Sequence, residues 1–180
     1  MALEHALLVA LSEQSASGLE LARRFEKSIG FFWHATHQQI YRVLARMVGD
    51  GWVTVEAVSQ TGKPDKKVYD VSPTGAAVLA EWLATPTPLE TFRSEIAVKL
   101  RGGSYGDRAA LLDVVRANLA DHRARLAHYE QLAAAAPDPS GLAGAALDQH
   151  LVLQGGIRLE RFWIDWLTDY LAAHTEGTAP

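Results

Sequence analysis

The period of the apolar residues changes twice within about fifty positions, and this order constrains the fold most. Thr36 and Gln39 stand at capping-box spacing, and Ile40, Val43, Leu44 and Met47 follow at i, i+3, i+4 and i+7. Gly49-Asp50-Gly51 closes that helix with a residue suited to left-handed geometry. Trp52 to Val58 then alternates as a strand, with Val53, Val55 and Ala57 on one face. Gly62-Lys63-Pro64-Asp65 reads as a turn and Lys66–Val71 as the returning strand. Ser72-Pro73 opens another helix, with Ser at the N-cap and Pro at the first position.

Two helices precede this block. Leu3, Leu7, Leu8 and Leu11 mark the first. Ser17 and Glu20 have capping-box spacing at the start of the second, whose apolar marks are Leu19, Ala22 and Phe25. Three helices, a hairpin and a fourth helix, with Val78, Leu79, Trp82 and Leu83 as its apolar face, predict a winged helix-turn-helix. In that architecture the third helix enters the major groove of DNA and the hairpin touches the flanking backbone.

The chain breaks at Thr85-Pro86-Thr87-Pro88. We therefore expect a winged domain over 1–85, a helical dimerisation domain over 86–174 and a frayed tail over 175–180. One long helix is expected from Ser104 or Asp107 to Ala135, and another from Leu142 to Ala173. Leu151, Leu159, Phe162, Trp163, Trp166, Leu167 and Tyr170 give the last helix a wide apolar face. Such a face needs burial, and a second copy of the same helix is the simplest cover for part of it. The fold class expected is mainly α with a small β-hairpin.

Composition narrows the chemistry. The 180 residues include no cysteine, which excludes disulfides, thiolate metal sites and cysteine nucleophiles. No apolar run is long enough to span a membrane. The N-terminus carries Glu4 and no basic stretch, so it does not read as a signal peptide, and a cytoplasmic location is expected. The seven histidines form no set with ligand spacing and a third donor, even at His34 and His37, so no metal or cofactor is expected. No catalytic triad, hydrolase elbow or phosphate-binding glycine loop is present, and an enzyme is not expected. The net charge is −4, so any contact with phosphates must come from clustered cations.

Several stretches resemble the PadR family of transcriptional regulators. They are Ser17-Gly18-Leu19-Glu20-Leu21, Gln39 to Met47 with its Ile-Tyr-Arg core, Asp50-Gly51-Trp52-Val53, Lys67 to Gly75, and Trp82-Leu83. Phe92-Arg93-Ser94-Glu95, Gly156 to Glu160 and Trp163 to Leu167 resemble the longer branch of that family, which has a helical C-terminal domain. Leu19 stands where the family often has Tyr, and Asp65 where its wing often has Arg. The resemblance implies a homodimeric DNA-binding repressor.

The residues expected to meet DNA follow from the two elements. Off the buried stripe of the third helix lie His37, Gln38, Tyr41 and Arg42, with Thr36 and Gln39 at its start. Gln pairs bidentately with adenine and Arg with guanine in the major groove. Lys63, Lys66 and Lys67 form the densest basic cluster and suit phosphate. Arg23, Arg24 and Lys27 are further backbone candidates. Gly155-Gly156 lies near Trp163 and Trp166, which suggests room for a planar aromatic effector; a kink or a close helix crossing is the plainer reading. The expected partners are operator DNA, probed as a pseudo-palindrome by a homodimer, and a small aromatic effector, with no membrane. A winged module that binds protein rather than DNA is the competing reading.

Overall fold

A computed structural model describes residues 2–27, 35–60, 63–89 and 93–175. The chain forms two compact units, Met1–Pro88 and Leu89–Pro180.

The first unit contains α1 (Ala2–Glu13), β1 (Ala16–Ser17), α2 (Gly18–Lys27), α3 (His37–Gly49), β2 (Val53–Gln60), β3 (Lys63–Val71) and α4 (Pro73–Leu83). Leu7, Leu8 and Leu11 of α1, Leu21 and Phe25 of α2, and Ile40, Leu44 and Met47 of α3 are buried in one core, with Val53 beneath them. The capping signals are realised. Ser17 and Glu20 close the start of α2 reciprocally, the Glu20 amide donating to Ser17 Oγ and the Ser17 amide to Glu20 Oε2. Gly51 has φ +73°. Its amide donates to Val48 O and the Trp52 amide to Met47 O, a Schellman arrangement that stops α3 and turns the chain into β2.

The sheet has three strands in the order β1-β3-β2 rather than two, because Ala16 and Ser17 pair antiparallel with Tyr69 and Val68. Two residues between helices carry no alternating pattern, so sequence gives this strand no signal. The two strands of the hairpin also run longer than expected. Lys63, Pro64 and Asp65 belong to β3 and not to the turn, since Gln60 pairs with Lys63 across a register shift near Val58. Thr61 and Gly62 lie outside the described residues. Pro64 is tolerated there because β1 pairs only with Val68 and Tyr69, so on that side Pro64 has no ladder partner among the described residues. Beyond Val53, residues 54–59 of β2 are exposed, so the hairpin projects from the core as a wing.

The second unit contains α5 (Glu95–Arg101), α6 (Arg108–Ala135) and α7 (Gly144–Thr175). The short α5 was not expected; Ser94 caps it by accepting from the Ala97 amide. Asp107 caps α6 in the same way. The two long helices run antiparallel, as Arg108 meets His174 at one end and His122 meets Glu160 further along. Val115 and Leu119 of α6 and Leu167 of α7 form a shared core that Leu100 of α5 joins. Helix α7 passes through Gly155-Gly156 without a break.

Candidate nucleic-acid interface

Helix α3 is anchored by its first turn. The Gln39 amide donates to Thr36 Oγ1 at 3.2 Å and the Thr36 amide to Gln39 Oε1 at 2.8 Å. Both side chains are exposed yet already engaged, so the NH2 end of Gln39 is the part not spent on the cap. His37, Gln38, Tyr41 and Arg42 are exposed along one side of the helix, opposite buried Ile40, Leu44 and Met47. Arg46 is turned elsewhere: it pairs with the buried carboxylate of Glu4 and ties α3 to α1.

The wing contributes Lys67, exposed, and Lys66, half-buried. They pair across the hairpin with Ala57 and Val58. The side chain of Lys63 lies outside the described residues. Lys66 Nζ donates to Glu20 Oε1 at 2.6 Å. That bond, with the Ser17 amide and hydroxyl on the other oxygen, holds the Glu20 carboxyl far below its ordinary range, to about 2. The first turn of α2 therefore meets both α3 and the hairpin. Glu20 holds Lys66 of the wing, and Gly18 lies under the Tyr41 ring of α3.

Glu20 and Gly18 were visible in sequence only as a capping residue and a motif glycine. Their contacts join positions 46 and 23 residues apart, and no local pattern announces such pairs. Arg23 is exposed, but Arg24 donates to Gln14 O at 2.8 Å, where it serves the carbonyls that follow α1. The side chain of Lys27 is outside the described residues.

In the second unit, Trp163 is buried and stacked on His122 at 5.3 Å between centroids and 10° between planes. Trp166 tilts against it at 5.4 Å. His122 Nδ1 bonds Glu160 at 2.6 Å and Arg125 reaches the same carboxylate at 3.3 Å. Burial and the nearby Glu160 raise the Tyr129 hydroxyl above its usual range, with Arg125 opposing. The two tryptophans thus sit in a packed aromatic and ionic cluster, and a planar ligand between them has to displace a ring.

Comparison with known proteins agrees with this geometry. Residues 7–81 match the model of the transcriptional regulator PadR-like family, and residues 92–175 match the family described as virulence activator alpha C-term. A probable transcriptional regulator of Mycobacterium tuberculosis is 51% identical, aligned over 98% of this chain and 99% of its own. The negative transcriptional regulator PadR of Bacillus subtilis is 30% identical, over 94% and 96%. Its crystal structure with operator DNA superposes with a TM-score of 0.85 at 27% identity, covering 96% of this chain and 97% of that one. Its structure with p-coumaric acid gives 0.76 at 26%, over 96% and 94%. The Vibrio cholerae virulence activator AphA gives 0.78 at 29%, over 96% and 98%.

Proposed function

From the premise that the chain belongs to the PadR-like family of transcriptional regulators, we propose that it is a homodimeric, sequence-specific repressor that occludes a promoter. The observation that carries this reading is the outward side of α3. A capped helix rests on a buried apolar stripe and presents Gln38, Tyr41 and Arg42 beside a wing bearing Lys66 and Lys67. Gln38 can both donate to and accept from a base edge and Arg42 can donate two hydrogen bonds to one, while Tyr41 and the lysines suit phosphates. His37 joins them at the start of the helix, whose amides favour phosphate.

Two recognition helices one DNA turn apart, about 34 Å, need a two-fold dimer. Leu151, Val152, Leu159 and Phe162 remain exposed on α7 of the single chain and supply an apolar face for it. The operator and p-coumaric acid complexes of B. subtilis PadR support DNA and a small aromatic acid as partners. Release by such an effector requires that it bind one arrangement of the dimer better than the other. Trp163 and Trp166 are the side chains we assign to that contact.

The test is binding of the purified protein to the promoter region upstream of its own gene, across several salt concentrations. Tight binding to that duplex over an unrelated one, weakening with salt, supports the reading. Equal, weak binding to both duplexes counts against it and favours a winged module that binds protein.

A further inference from the structure

We infer that Gly18 is a positioning residue for DNA binding, its missing side chain setting where the Tyr41 ring lies. The inference rests on the DNA-binding reading of α3 above. Gly18 is the first residue of α2 and is buried, although helix starts commonly face solvent. What covers it is the ring of Tyr41. A β-carbon built on Gly18 falls 3.0 Å from both Cδ1 and Cζ of that ring and closer still to Cε1. Any other residue at position 18 therefore drives the ring away.

The backbone alone does not demand glycine here. Gly18 is helical and is not among the positive-φ glycines, which among the described residues are Gly51 and Gly144. Nor does the helix start need it, since Ser17 and Glu20 already close that turn. Tyr41 is the partner that requires the space.

A second glycine shows how the consequence differs with the neighbour. At Gly75 the added carbon meets the backbone carbonyl of Trp52, which cannot swing aside. At Gly18 it meets an exposed side chain that can. The effect of filling position 18 therefore falls on the DNA-facing surface rather than on the core. With glycine present, the ring rests on the first turn of α2 and its hydroxyl is ordered before DNA arrives. Preorganising a contacting side chain in this way strengthens binding without adding a contact.

The test is a double-mutant cycle of Gly18→Ala and Tyr41→Ala on the promoter duplex, with thermal melting and tyrosine-labelled NMR of each variant. We expect a Gly18 Hα to Tyr41 ring Overhauser contact in the native chain and shifted Tyr41 ring signals in G18A. G18A should stay folded and lose about tenfold in affinity, the worth of one charge-assisted hydrogen bond. Tyr41→Ala should lose a similar factor, and adding G18A to it should cost nothing further. Unshifted ring signals, native affinity of G18A, or an equal G18A loss in the Tyr41→Ala background overturns the inference. Should G18A fail to fold, the double variant regains the fold if the ring is the cause; an unfolded double variant overturns it. A native protein that ignores the duplex while its ring signals respond to G18A overturns the DNA reading, and the role in DNA binding with it, but leaves the ring contact standing.

Discussion

Lys66 donates to Glu20 at 2.6 Å, tying strand β3 of the wing to the first turn of α2. The two lysines of the wing are therefore unequal. Lys67 is exposed, whereas Lys66 is half-buried and already opposite a carboxylate. A cation that neutralises a phosphate releases counterions, and each such contact adds about 0.9 to the slope of log affinity against log salt. Lys67→Ala should lower the slope by about one per contact, for every duplex sequence. Lys66→Ala should lower it by less. Salt titrations of the two variants on the promoter duplex and an unrelated one decide this; equal slope changes would show that Lys66 leaves Glu20 on DNA.

The same pair predicts an acid response. The Lys66 ammonium, then the Ser17 amide and hydroxyl, lower the Glu20 carboxyl from 4.5 to about 2. A carboxyl with a depressed folded-state value stabilises the fold above its unfolded value, and that contribution disappears as pH falls through the folded one. Glu20→Gln should therefore melt below wild type at pH 5–7. The gap should narrow as pH falls from about 4.5 towards 2. Melting curves of both proteins over that range measure it, and a gap that stays constant with pH would count against a charged Glu20 as its source.

How much of this was legible in the sequence depended on how local each cause is. The boxes at Thr36/Gln39 and Ser17/Glu20, the left-handed Gly51 and the Ser72-Pro73 start are short-range devices, and each appears where its residues stand. The stripe of Ile40, Leu44 and Met47 is local in the same sense. Strand β1 has no sequence signal because two residues have no period, and its formation depends on Val68 and Tyr69 some fifty positions away. Gly-Lys-Pro-Asp has strong turn chemistry, yet Lys63 to Asp65 are strand, because the pairing of Gln60 with Lys63 sets where β3 begins. The outward residues of α3 could be named from the helical period. That Lys66 is held by Glu20 and Tyr41 rests on Gly18 are tertiary facts.

Gly75 carries a stability prediction of a different kind. Ser72 caps α4 by accepting from the Gly75 amide at 3.0 Å, and its own hydroxyl donates to Gly51 O at 2.6 Å. Its amide donates to Trp52 O at 3.0 Å, so the start of α4 is stitched to the start of β2. A β-carbon at Gly75 collides with that same Trp52 carbonyl and lies 3.2 Å from Leu8 Cδ2. Neither backbone segment can move without losing these bonds. Gly75→Ala should cost about 2–3 kcal/mol, the upper range for overpacking a core. Chemical denaturation of the variant gives the value, and a loss below about 0.5 kcal/mol, the size of an ordinary surface change, would mean the two segments can separate.

The dimer can be tested without touching the winged unit. Phe162 is 53% exposed on α7, close to Leu159 at 45%, and it packs its ring edge against Trp163. The buried apolar side chains of α7 are Ile157, Trp163 and Leu167, so the core of the second unit does not depend on Phe162. Phe162→Glu puts a charge where a second copy of α7 is proposed to pack, and two such charges related by a two-fold axis face each other across the interface. The variant should keep its helical circular dichroism and sediment as a monomer. Operator binding should weaken by about a hundredfold or more, because one winged unit then grips one half-site with no linked second contact. A variant that still sediments as a dimer would move the interface off this face of α7, and a monomer that binds the promoter as tightly as wild type would remove the need for a dimer altogether.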